Sequence, residues 1–134
     1  MRPVRPVQSG LKLSEKNLQR TCSDYLELDG WRMLRTDPCS DRRRGKGFGE
    51  IGMADCLYIR YNSGVTPQAK PQDAQVLWVE WKSSGGSATQ QQRLWIAAEK
   101  ARGALVLLAG ADFPCSVEGF LEYYRASGLM RRAL

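Results

Sequence analysis

The stretch Val76-Leu77-Trp78-Val79-Glu80-Trp81-Lys82 decides how this chain folds. Its first four residues are aliphatic, β-branched or aromatic, which reads as a strand, and it closes on an acid and a base two residues apart. Successive strand side chains point to opposite faces, so Glu80 and Lys82 share one face while Trp81 points away from both. Unpaired charge at the end of a strand covered on both sides is costly, so the two residues form either an ion pair or part of a site. Their surroundings in the sequence favour a site.

Upstream, Gly52-Met53-Ala54-Asp55 leads into Cys56-Leu57-Tyr58-Ile59-Arg60-Tyr61, a second strand that carries Asp55 at its start on the side of Leu57 and Ile59. An aspartate there ordinarily serves a turn or a cap. Residues 62 to 75, with Gly64, Pro67, Pro71 and several glutamines, read as a polar connection between antiparallel neighbours, an arrangement that brings Asp55 near Glu80. Downstream, Ser83-Ser84-Gly85-Gly86-Ser87 is a turn. Thr89 caps a helix reaching about Arg102, with Leu94, Trp95, Ala98 and Ala101 expected on its buried face and Gly103 as its stop. The apolar run Ala104 to Ala109 is then a strand covered on both faces, and strand, helix and strand make a βαβ unit with parallel strands and a right-handed crossover. An amphipathic helix from Val117 to Ala126 follows, and Arg131-Arg132 is expected to fray.

Toward the N-terminus, Ser14 caps a helix from Glu15 to about Leu28 whose stripe holds Leu18, Cys22, Tyr25 and Leu26, with Gly30 ending it. Glu15 lies on the same stripe and is expected to face inward, although an acid in a first helical turn is also favoured by the helix dipole alone. Trp31 to Leu34 reads as a short strand. Residues 35 to 50 combine Arg42, Arg43, Arg44 and Lys46 with three glycines, a basic loop suited to backbone phosphates and equally to plain solvation. The P-loop spacing is missing from it. Residues 1 to 10, with Arg2 and Arg5 among prolines, are expected to be a flexible arm. Residues 1 to 134 read as a single domain without internal repeats.

With 134 residues the chain is long enough to bury roughly two thirds of its unfolded surface without a staple. Twenty Lys and Arg against fourteen Asp and Glu give a formal charge of +6, which favours a polyanionic partner. No apolar run reaches the roughly 20 residues that span a bilayer, and the opening Met-Arg-Pro-Val-Arg-Pro has no apolar region behind it, so neither a membrane partner nor a secretory signal is expected and the location is expected to be intracellular. The four cysteines are far apart and there is no histidine, which argues against a structural zinc site, a disulfide framework and the usual serine or cysteine triads. Any enzyme chemistry must then come from carboxylates, lysine and a metal ion.

An inward Glu at the start of the first helix, a Gly-x-x-Asp entering a strand, a Glu-x-Lys closing the next and a Thr-x-x-Gln opening the following helix form an ordered set. In this order and spacing the chain resembles the PD-(D/E)XK nucleases, and among them the VRR-NUC (virus-type replication-repair nuclease) domain in its small stand-alone form. The resemblance covers about residues 14 to 125. It is strongest at Glu80-Trp81-Lys82, at Thr89 to Gln92, and at Trp95 and Gly103. Two features depart from the pattern: Ala54 precedes the aspartate where the family often has proline, and Gln90, Gln91 and Gln92 run together. Counting back from Trp95 and Gly103 selects Gln92 by resemblance, while helical periodicity places Gln91 nearer the buried stripe.

The resemblance implies an α/β fold of restriction-endonuclease-like αβββαβ order, with a mixed central sheet flanked by helices. It also implies a Mg2+- or Mn2+-dependent endonuclease acting on branched DNA such as four-way junctions, working as a homodimer and using no organic cofactor. Asp55 and Glu80 would hold the metal directly, with the Trp81 carbonyl as a third ligand and Glu15 acting through water or a second ion. Lys82 would face the attacking water or the phosphate, and Gln92 would orient it. A basic α/β module that binds nucleic acid without cutting it is the alternative, with Glu80 and Lys82 as an ion pair. A small structural protein whose charge serves solubility is a third possibility, and it predicts no salt-sensitive DNA affinity.

Overall fold

A computed structural model describes residues 13–36, 49–62 and 73–132. The elements run α1 (Glu15–Leu28), β1 (Arg32–Arg35), β2 (Cys56–Tyr61), β3 (Ala74–Glu80), α2 (Gln90–Ala101), β4 (Leu105–Leu108) and α3 (Val117–Ala126). They form an α/β fold around one four-stranded mixed sheet of order β1-β2-β3-β4. β1, β2 and β3 are antiparallel neighbours, and β4 joins β3 in parallel after the α2 crossover. Among the described residues, no helix is long and apolar enough to cross a membrane. The basic residues Arg42, Arg43, Arg44 and Lys46 and the arm at residues 1 to 10 lie outside the described residues.

The alternation of side chains along β2 and β3 builds two cores. On one face Tyr58, Leu77, Val79 and Trp81 are fully buried against Leu18, Cys22 and Leu26 of α1 and Phe120 and Tyr124 of α3. On the other, Trp78 and Val106 meet Trp95 and Ile96 of α2, and the Trp78 and Trp95 rings stand edge to face with centroids 5.0 Å apart. Each large side chain so buried contributes about 1.5–3 kcal/mol relative to exposure, far more than the local helix propensities.

All strands but β2 differ in their limits from the sequence expectation: β1 runs one residue further, to Arg35, β4 is one residue shorter at each end, and the other three limits each have a backbone reason. β1 begins at Arg32 because the Trp31 N–H closes α1, donating to the Leu26 carbonyl at 3.0 Å while Gly30 N–H donates to Glu27 at 3.1 Å. Trp31 is therefore a helix-capping residue whose indole is buried. β3 starts two residues early, since Ala74 and Gln75 pair with Tyr61 and Arg60 despite their strand-poor composition. It ends at Glu80, where β2 has run out of residues to pair: the Asp55 carbonyl already accepts from Thr36 N–H at 3.0 Å.

Two further expectations are corrected. α2 buries Trp95 and Ile96, and Gln92 and Glu99 are half-buried beside them, while Leu94 is 64% exposed and Ala98 and Ala101 also face solvent. Reading only apolar residues turned the helix by about one position, because two of the four inward places are polar. The segment after α3, expected to fray, is tied to the sheet. Arg131 and Arg132 N–H donate to the Asp29 carboxylate at 3.0 and 2.7 Å, and the Arg131 guanidinium reaches the Tyr61 carbonyl and the Gln75 side chain.

Candidate metal centre

The candidate site forms at the end of the sheet where β2 starts and β3 stops. Continuing the register from the Cys56–Val79 pair by one step sets Asp55 opposite Glu80, as the antiparallel reading expects. Ser14 caps α1 by accepting from Asn17 N–H at 3.1 Å, and this fixes Glu15 in the first helical turn at the same sheet end. Glu15, Asp55 and Glu80 each offer one carboxylate oxygen, and the three oxygens lie within 4.8 Å of one another. Lys82 completes the group, with its Nζ 4.0 Å from Glu80 Oε2.

Gln92 connects the acids to the lysine. Its Oε1 accepts from Lys82 Nζ at 3.0 Å and from the Thr89 backbone N–H at 2.9 Å, while its Nε2 donates to Glu80 Oε1 at 3.0 Å. Both groups facing Oε1 are donors only, so this amide orientation is the one that satisfies all three contacts. Thr89 returns a hydrogen bond, accepting from Gln92 N–H at 3.1 Å, and the pair forms a capping box. Gln91 is exposed and has none of these contacts, so the count from Trp95 locates the glutamine in contact with Glu80 and Lys82, and the periodicity of apolar residues does not.

The electrostatics of the pocket are unbalanced. Glu80 has no exposed surface, and no N–H or O–H donates to its Oε2. Burial first, and then the approach of the Asp55 carboxylate, push its carboxyl up to about 9, with Lys82 offsetting only part. Glu15 is raised for the same reasons, burial ahead of the negative charge of Asp55. One ammonium facing three carboxylates leaves two negative charges unmatched when all are ionised.

A hard divalent cation fits that imbalance. Oxygens bound to Mg2+ at ~2.0–2.1 Å lie about 3–4 Å from each other, slightly closer than the spread seen here. Two carboxylates with small adjustments, and a third reaching through water or a second ion, match the donor set. The orphaned Oε2 is the atom such an ion would satisfy.

Sequence reading missed the layer beneath the site. Trp81 Nε1 donates to the Tyr58 hydroxyl at 3.1 Å, and that hydroxyl is 2.7 Å from Ser23 Oγ on α1. The period of two along Cys56, Tyr58 and Arg60 places all three on the face of Trp81, a signal present in the sequence. Comparison with protein-family models, with curated proteins and with solved structures finds no match.

Proposed function

We propose that the protein is a Mg2+- or Mn2+-dependent endodeoxyribonuclease with a restriction-endonuclease-like core, similar to the stand-alone VRR-NUC nucleases, and acts inside the cell on branched DNA as a homodimer. The observation that carries the reading is Glu80: a fully buried carboxyl whose Oε2 accepts no hydrogen bond and whose only close polar neighbour among the described residues, besides Lys82 and Gln92, is another acid, Asp55, with Glu15 beside them. Protein interiors keep such a group either neutral or compensated by a ligand, and a cation would supply that compensation and hold Glu80 ionised. The formal charge of +6, carried elsewhere in the chain, supports a polyanionic substrate.

When bound, the ion would stabilise charge developing on the phosphoryl oxygens and acidify its water. Asp55 and Glu80 are the direct carboxylate ligands in this reading, with the Trp81 carbonyl beside them and Glu15 held through water or a second ion. Lys82, kept in place by Gln92, presents its ammonium to the attacking water or to a phosphate oxygen as a point charge with three donors. Gln92 binds through both ends of its amide, so it orients the lysine and one acid together. A two-fold dimer would present two such sites to two strands.

Incubating the purified protein with a four-way junction, a flap and plain duplex in Mg2+, Mn2+ or EDTA tests the reading. Cutting is expected in the metals and not in EDTA, with the branched substrates preferred; cutting that persists in EDTA overturns the mechanism. Asp55→Asn and Lys82→Ala are each expected to lower the cutting rate by at least about a hundredfold while DNA affinity stays within a few fold. Tight, salt-sensitive binding with no cutting in any metal would identify a non-catalytic module instead.

A further inference from the structure

We infer that the hydroxyl of Tyr58 is a positioning group that sets the acidic pocket from the opposite side of the sheet, by joining the three segments that carry its acids. The inference rests on the reading of the pocket as a metal centre. Tyr58 is fully buried three residues beyond Asp55 on β2. Its oxygen accepts from the indole N–H of Trp81, the residue between Glu80 and Lys82, at 3.1 Å. It also lies 2.7 Å from the hydroxyl of Ser23 on α1, the helix that begins with Glu15. Ser23 in turn donates to the Met33 sulfur on β1 at 3.3 Å.

These contacts can be satisfied together, and the Cys56 thiol also meets the Tyr58 hydroxyl. The indole nitrogen can only donate, and the thioether can only accept. Trp81 donates to Tyr58, and with Tyr58 donating to Ser23 and Ser23 to Met33 all four groups are matched at once.

Position explains why the link matters to the pocket. β3 stops pairing at Glu80, so the sheet no longer holds the backbone of Trp81 and Lys82. The Trp81 side chain holds it instead, wedged against Phe113 and Phe120 at centroid distances of 5.7 and 5.3 Å. Ring packing tolerates rotation and sliding, whereas the hydrogen bond to Tyr58 fixes one orientation. Removing the hydroxyl frees the segment that aims Glu80 one way and Lys82 the same way, and it cuts the tie from that segment to α1.

The test uses the full chain, with Mn2+ binding measured by calorimetry on samples that circular dichroism shows to be folded. Tyr58→Phe is expected to keep the fold and to bind Mn2+ about tenfold more weakly, and Ser23→Ala to shift affinity in the same direction by a smaller factor. Leu121→Ala, which loosens the same core but removes no member of this chain of hydrogen bonds, is expected to leave Mn2+ affinity within about twofold. Affinity unchanged in Tyr58→Phe overturns the inference, and should that variant fail to fold, Ser23→Ala with unchanged affinity does the same. If the unmodified protein binds no Mn2+, the metal-centre reading fails by itself. The Gln92 side-chain amide signal in NMR then decides the positioning role: a displaced signal in Tyr58→Phe supports it and an unmoved one overturns it.

Discussion

Glu80 sits where folding and proton uptake meet. Its carboxyl titrates near 9 in the folded protein and near 4.5 in an open chain, because burial and Asp55 disfavour the charge. The folded state therefore binds more protons than the unfolded state between those values, and stability must fall as pH rises. Metal-free protein in EDTA is expected to lose melting temperature steadily from pH 5 to 9, Glu15 adding in the same direction, and Glu80→Gln should flatten most of that slope. A wild-type slope that matches the variant's would remove Glu80 as its source. Under the proposed metal-centre reading Mn2+ would displace the same proton, and its apparent affinity should rise over the same interval. The acids and the lysine were legible in the sequence because strand alternation and an antiparallel connection suffice to bring Asp55 and Glu80 together. The choice between Gln91 and Gln92 was not legible from periodicity, because Gln92 occupies an inward position that an apolar count assigns to no one.

At the scale of elements, the approach of α2 to the loop before β2 fixes how the glutamine meets the acids. Gly52 has a φ of +79°, and a Cβ added there would come within 2.3 Å of the Gln91 carbonyl oxygen, in the first turn of α2. That contact is with backbone, so no side chain can swing aside. Gly85 has a similar φ of +86° but open space around it. Gly85→Ala should thus cost only the backbone strain of about 1–2 kcal/mol, whereas Gly52→Ala should cost more and reduce metal-dependent cutting at least about tenfold. Urea denaturation and cleavage assays on the two variants check this, and equal effects would show that the close approach is unimportant. Helices α1 and α3 and strand β2 were readable to the residue, because caps and apolar periods agree there. β1 and β3 shifted because hydrogen bonds to a helix end and to a neighbouring strand set their limits, and neither partner is visible in the local sequence.

Across the whole molecule, the end of the sheet opposite the acids is closed by a buried ion pair. Arg60 is 2% exposed, its guanidinium lies 4.3 Å from the Trp31 ring centroid, and it meets the Asp29 carboxylate at 3.1 Å. The same carboxylate accepts from the Tyr124 hydroxyl and from two backbone N–H groups beyond α3. Asp29→Ala strips all of these at once and leaves a buried cation, so it is expected to destabilise by about 3–5 kcal/mol, read by urea denaturation. A loss under about 1 kcal/mol would mean that water replaces the carboxylate freely. The tie was not legible, since Arg131-Arg132 looks like solvated charge and Asp29 like the end of a helix, although Leu129 and Met130, packed against the core, are apolar signs that the segment is held.

The capping box at Thr89 has a consequence for how such a sequence can drift. Replacing Gln92 with Glu would keep the cap and strengthen the bond to Lys82, yet it would take away the donor to Glu80 and add a fourth acid. Ala would spare the charge but lose the return bond of the capping box and both ties to Lys82 and Glu80. Glutamine alone among these meets both demands, so a lineage that abandons the pocket should reveal it first as an altered residue 92.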